Sequence, residues 1–248
     1  INYRNLRENK KDRFMLNASL SYDILDWLSV SGRVRMDQSI TKYTEKFYAS
    51  TFTQLTELSQ NGLYGISSMT DRQVYADALL NINKRFGDDW TLQANIGASI
   101  SDMSYDALKN RGPIADGQIT DEKPGLANVF NIQNLSNSPK TQRMQEGWRE
   151  QTQSIFGSAE VGFKGAYYLT VTARNDWPSQ LAGPHSNKKS FFYPSVGASV
   201  VLSQIIPNMP KNLEYVKLRA SYASVGTAFE RYIANPQYKW NSSGLSWN

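Results

Sequence analysis

The stretch that decides the fold is SFFYPSVGASVVLS (Ser190 to Ser203), followed by YVKLRASYASVG (Tyr215 to Gly226). In the first, Phe192, Pro194, Val196, Ala198, Val200 and Leu202 fall on one face of an extended chain, opposite Tyr193, Ser195, Gly197 and Ser199. In the second, Val216, Leu218, Ala220 and Tyr222 alternate with Lys217, Arg219 and Ser221. The period is two rather than 3.6, so both stretches are strands with one apolar and one wet face.

The same alternation recurs outward from this pair. Phe14, Leu16, Ala18 and Leu20 oppose Arg13, Asn17, Ser19 and Ser21, and Leu28, Val30, Val34 and Met36 oppose Ser29, Ser31, Arg33 and Arg35. Val74 to Ile82 and Leu92 to Ile100 repeat it on either side of Gly87-Asp88-Asp89, and Ile155 to Phe163 and Leu169 to Ala173 repeat it on either side of Lys164 to Ala166. The spacing predicts eight antiparallel strands near 13–22, 27–37, 73–85, 90–101, 152–164, 167–177, 190–202 and 214–226. Gln38 to Asp71 reads as a long loop with a short helix near Phe52 to Leu58. Asp102 to Glu150 reads as the longest irregular connection, too long for an ordinary compact domain unless it is functional.

Composition narrows the function classes without choosing among them. The 248 residues are 40% hydrophobic and 20% charged, with a formal net charge of +5 and no cysteine. There is therefore no disulfide framework and no thiolate metal site. The basic residues are scattered apart from the mixed run Arg7 to Arg13, which argues against nucleic acid as a partner. No run approaches the ~18 apolar residues of a membrane helix, and mean hydropathy is -0.53. A membrane strand needs only ~9–11 residues, half of which face away from lipid, so such a chain can still cross a membrane. It begins without a signal-like segment and stops in turn-like sequence, so both ends are expected to be cuts through a longer polypeptide.

The connections alternate short and long, which gathers the short turns at one end of the sheet. Aromatics gather there too: Tyr22 with Trp27, Phe86 with Trp90, Phe163 with Tyr167 and Tyr168, then Tyr215. An interfacial girdle of this kind is expected where an outer-membrane barrel meets its periplasmic headgroups. A sheet in lipid must pair every strand and so must close. Three readings share this pattern: a segment of a large barrel, a small eight-stranded barrel or passive porin, and a soluble β-rich binding domain with aromatics capping its core.

Together with YYLTVTARNDWPSQL (Tyr167 to Leu181), the two opening blocks resemble the barrel of the SusC/RagA family of TonB-dependent outer-membrane transporters. In that family a strand ending in an Arg-Asn or Arg-Asp turn leads to an aromatic-aromatic-Pro-Ser-Val strand and then to a Leu-Lys-Leu-Arg-Ala-Ser-Tyr strand. Trp177-Pro178 stands where the family carries small residues. The resemblance implies an all-β fold, an antiparallel transmembrane β-barrel segment contributing eight strands to a plugged barrel of about 22. It implies that residues 1–248 are part of a TonB-dependent receptor-like barrel domain, with plug and signal peptide outside this chain. The implied function is import of oligosaccharide or peptide across the outer membrane of a Gram-negative, Bacteroidetes-type bacterium. The implied partners are a SusD-like surface lipoprotein, TonB, outer-membrane lipid and the solute.

No enzyme chemistry is legible. Asp88-Asp89 is turn sequence beside Gly87, His185 is the sole histidine, and no nucleophile elbow, phosphate loop or zinc spacing occurs. No cofactor or metal is expected. Arg33, Arg35, Arg85, Arg174, Lys217 and Arg219 on the polar face are expected to pair with Asp77, Glu160 and Asp176 rather than to steer an anionic solute. In a plugged barrel the solute meets the long loops and upper wall first. Trp148, Arg174, Asp176, Trp177 and Trp240 are therefore the candidate solute contacts, aromatic faces stacking on sugars or flat peptide groups and charges fixing orientation.

Overall fold

The structure, a computed structural model, describes residues 4–120, 123–183, 189–206, 215–226 and 230–231. Its strands are β1 (Leu6–Leu25), β2 (Leu28–Tyr48), β3 (Gly62–Phe86), β4 (Trp90–Pro113), β5 (Gln118–Thr120), β6 (Lys123–Pro124), β7 (Gln142–Phe163), β8 (Tyr167–Pro178), β9 (Phe191–Val201) and β10 (Lys217–Ala223). Eight form one sheet in the order β1-β2-β3-β4-β7-β8-β9-β10, and β5 pairs with β6 separately. The chain is all-β, an antiparallel barrel segment, as the periodicity and the resemblance implied.

The expected strands are present, but several run well beyond their expected ends. β2 continues to Tyr48, β3 starts at Gly62, β4 continues to Pro113 and β7 starts at Gln142, so much of the two expected long loops is strand. The added segments, such as Gln38 to Tyr48, are rich in Thr and aromatics, which suit a pleated surface, but neither face is consistently apolar. A ladder is held by backbone hydrogen bonds, which do not depend on side-chain polarity. Period-two apolarity therefore marks only part of each strand. The expected helix near Phe52 to Leu58 is a single 3-10 turn, Thr53–Thr56. Entry into β3 requires glycine: Gly62 has φ +111, and a Cβ there would lie 2.3 Å from the Phe47 carbonyl oxygen.

Two compact units divide the chain. The first comprises Ile1–Asn17, Arg35–Val74 and Met103–Arg149; the second comprises Ala18–Val34, Tyr75–Asp102 and Glu150–Asn248. The first has a small interior of Tyr64, Ile114 and Leu135, with Ile66 and Phe130 packed against it. Its loops are tied by side chains. The Asp116 carboxylate accepts from Ser59 Oγ and the Gln60 and Asn61 amides, and the Asn134 amide donates to the Leu126 and Val129 carbonyls. Glu45, with its side chain 4% exposed, accepts from Arg7 Nε at 3.0 Å and from Arg111 Nε at 2.8 Å. Arg111 also donates to Glu57. Burial works against the Arg111 charge, but its hydrogen bonds to Glu57 and Glu45 outweigh that cost and lift its pKa above the usual range.

The second unit sorts its side chains by strand parity. Register across β7–β10 places Phe163, Tyr167, Val200 and Leu218 in one row, Val161, Leu169, Ala198 and Ala220 in the next, and Ala159, Val171, Val196 and Tyr222 in a third. These rows form one apolar face, and it is open: Leu169, Val171, Val196, Leu218 and, on β4, Ile96 are exposed. The opposite face is polar. Arg33 reaches the buried Asp77 carboxylate at 2.9 Å, Asn95 Nδ2 donates to Ser158 Oγ, and Thr170 Oγ1 donates to Glu160. At the short turns the aromatics touch, Trp90 lying 4.5 Å from Phe163 between centroids, with the Lys84 ammonium 4.3 Å from the Trp27 ring. The Lys164-Gly165 turn has φ of 53 and 63, the doubly left-handed geometry of a tight hairpin.

Candidate functional site

The sequence-selected residues fall at different places. Arg174 and Asp176 lie on the polar face of β8, where the Arg174 Nε donates to Asp176 Oδ1 at 2.7 Å and Nη2 donates to Ser154 Oγ at 2.9 Å. The guanidinium lies 5.3 Å from the Phe156 ring centroid. Register sets Tyr193 opposite Arg174 and Phe191 opposite Asp176, and the two rings stack at 6.3 Å with 26° between planes. The result is a patch with an oriented ion pair flanked by three aromatic rings, all in the second unit. It offers hydrogen-bond donors and acceptors beside flat apolar surfaces, which suits a solute with both.

Trp177 is not part of this patch. One residue beyond Asp176, it points to the opposite side of the strand, the side of Leu169 and Val171, because successive side chains alternate. It is 41% exposed and lines a groove of about 760 Å³ with Gln151, Gln153, Pro178, Leu181 and Lys189. Trp148 belongs to the first unit, where its ring stacks on Tyr105 at 6.0 Å with 23° between planes. Beside it Lys109 Nζ donates to Glu146 at 2.9 Å. Trp240 and His185 lie outside the described residues.

Sequence reasoning missed Ser154, Phe156, Phe191 and Tyr193 as neighbours of Arg174, and Tyr105 as the partner of Trp148. The first group was reachable in part, since Phe191 and Tyr193 stand at alternate positions of one strand. Which β8 residues they oppose depends on register, which no local pattern encodes here. Of the expected ion pairs on the polar face, Arg33–Asp77 and Arg174–Asp176 are formed, whereas Arg35 donates to Asn17 instead.

With that geometry in view, the likeness to solved structures is informative. A structure of the RagAB peptide transporter matches with a TM-score of 0.70 over 88% of this chain. The fold is that of a segment of a RagA-like barrel. Identity to that structure is 14%, and this chain spans 23% of the length of that one. Structures of the RagAB peptide importer in its open-open and closed-closed states match with TM-scores of 0.68 and 0.69, at 14% and 15% identity. No family model matches the sequence, and no curated protein matches it. The RagAB-like barrel fold is the one that the three sequence blocks implied.

Proposed function

We propose that this chain is part of the barrel of a TonB-dependent outer-membrane importer that takes up oligosaccharide or peptide beneath a SusD-like surface lipoprotein. The RagAB-like fold, found on a sheet with one exposed apolar face and one ion-paired polar face, carries this reading. Apolar exposure on this scale is costly in water and favourable in lipid. The polar face lines the lumen, the short turns face the periplasm, and the remaining strands and a plug lie elsewhere in the protein. Energy enters through TonB, from outside this segment, in a Gram-negative, Bacteroidetes-type outer membrane. The RagAB structures are described as a peptide transporter, which supports peptide as one of the two solute classes to test.

In this reading Arg174 and Asp176 orient the solute at the wall, Trp148 with Tyr105 provides a stacking platform, and Trp177, at the end of β8, and Trp240 contact solute or lid. The test uses the full-length protein in planar bilayers and in cells. No steady open pore and solute uptake that ceases when TonB is removed are expected; a steady conductance would overturn the reading in favour of a passive pore. Binding of peptide and oligosaccharide panels to Trp148→Ala and Arg174→Ala variants is expected to weaken at least severalfold with heat stability retained. Unchanged affinity in both would remove these residues from the solute path.

A further inference from the structure

The polar face of the second unit carries a hollow apart from the Arg174 patch. Register sets Glu160, Thr170, Gly197 and Ser221 in one row across β7–β10. Gly197 has no side chain, so the row dips there, and the cavity over it measures about 290 Å³. One wall is Glu160, which accepts from Thr170 Oγ1 at 2.9 Å, and the other is Lys217 and Arg219 of β10. Thr170 stands four residues before Arg174 on β8, about 13 Å along an extended chain.

The charges around this hollow can be counted from the strands. β9 has none, β4 has none from Trp90 to Ser101, and β7 has only Glu160 from Gln151 to Phe163. On β8, Arg174 and Asp176 are paired with each other at 2.7 Å. Lys164, in the neighbouring turn, lies against the ring of Phe163, which belongs to the apolar face. The lining charges are therefore one carboxylate and two cations. Glu160 does not neutralise the pair, since β7 is three strands from β10, about 14 Å at the backbone. Among the described residues the Arg219 guanidinium has no hydrogen bond or ion pair, and the Lys217 ammonium lies 4.7 Å from the Tyr168 ring centroid rather than on a carboxylate. No aromatic ring lines the hollow, so a neutral sugar has no stacking platform in it.

We propose that this hollow is a subsite for a carboxylate of the solute, held by Arg219 and Lys217, with an N–H or O–H of the same solute donated to Glu160. A guanidinium offers a carboxylate two parallel hydrogen bonds, and a second cation beside it adds to the attraction. Ligand pockets are commonly ~300–1,000 Å³, so this one takes a single unit of a solute rather than a chain. The carboxylate has two sources, a peptide C terminus or an acidic sugar. The subsite rests on the reading of the polar face as the lumen wall and deepens it by naming the charge class that this part of the wall selects.

The experiment measures binding of paired probes to the full-length protein in detergent: N-acetyl-trialanine against its C-terminal amide, and a glucuronate-terminated disaccharide against the matching glucose disaccharide. At least one acid is expected to bind tenfold more tightly than its neutral partner, and the pair that shows the preference identifies the source. Arg219→Met is expected to reduce the preference to under twofold while affinity for the neutral probe is kept. Gly197→Leu is expected to weaken the preferred acid tenfold. A Cβ at that position would lie 3.5 Å from Ser221 Cβ, an ordinary contact, so the fold accepts the side chain while the hollow is filled. Equal affinity for acid and neutral probes in the unaltered protein overturns the proposal. So does a preference that survives Arg219→Met, and loss of heat stability in that variant would then place the arginine in a structural ion pair. Failure of the protein to partition with membranes in the same preparations would instead overturn the barrel reading, so the two failures are distinguishable.

Discussion

The two units use the same sheet in opposite ways. In the first, the largest fully buried side chains are Thr56, Leu63, Ile114 and Leu135, and Tyr64, Ile114 and Leu135 form a small protein-lined core. In the second, Leu169, Val171, Val196 and Leu218 are exposed on the apolar face, while the buried residues among those described include Asp77, Ser99 and Ser154 with the apolar Ala166, Leu181 and Val201. One unit encloses an apolar cluster within protein; in the reading proposed above, the other takes the bilayer as its apolar phase. The lesson is that burial by protein and burial by solvent environment are separate quantities. An exposed leucine on the second unit is not a defect of packing.

Leu135→Ala breaks the comparison most severely from the first unit. Removing a fully buried leucine is expected to cost about 2–5 kcal/mol. Hydrogen exchange should quicken at the Ala115 and Ser136 amides, which bond to the Asn134 and Pro113 carbonyls. The amides of β7 and β8 near Ala159 and Val171 should be unaffected; a rise there would show that the two units share one core.

Ile96→Arg attacks the second unit from its apolar side and is expected to cost about 2–4 kcal/mol in lipid. Asn95→Arg, one residue away on the polar face, should cost little. Urea unfolding in lipid vesicles, read by loss of the heat-modifiable band, gives both values. Similar losses for the two would refute the assignment of faces.

Charge pairs sharpen the contrast at lower cost. Arg33→Met strands the Asp77 carboxylate, whose side chain is fully buried, and is expected to cost roughly 1–3 kcal/mol, recovered in part by Asp77→Asn in the same chain. Arg7→Met should cost under ~1 kcal/mol, because Arg7 is mostly exposed and Arg111 still pairs with Glu45. A double-mutant cycle on unfolding free energy checks the first, and the single variant checks the second.

The smallest effect is a titration. The hydrogen bond to Glu146 raises the Lys109 pKa above the ordinary lysine value, outweighing a smaller loss to desolvation. The sign follows from linkage: the contribution is complete below the unfolded-state pKa and disappears as pH rises through the higher folded-state one. At neutral pH it is therefore constant. Glu146→Gln should return Lys109 to the ordinary range by carbon-detected NMR of its side chain; no change would mean the pair is not formed in solution.

The alternation of Val196, Ala198 and Val200 against Ser195, Gly197 and Ser199 was enough to assign strands and their two faces, because an apolar phase on one side and a polar one on the other impose a period-two rule, and the resemblance of the three blocks added the barrel class. The rule lapses where neither face is consistently apolar, and Gln38 to Tyr48 and Met103 to Pro113 therefore went unread as strand. Asp176 and Trp177 were legible as chemistry, and the expected strand over 167–177 already set them on opposite sides, but the partners of Asp176 across the sheet were not. Register was decided only in three dimensions. Tyr193 faces Arg174, and Ala198 meets Ala220, because backbone ladders align whole strands at once, and those contacts join residues far apart in a sequence whose local pattern is satisfied by any even shift.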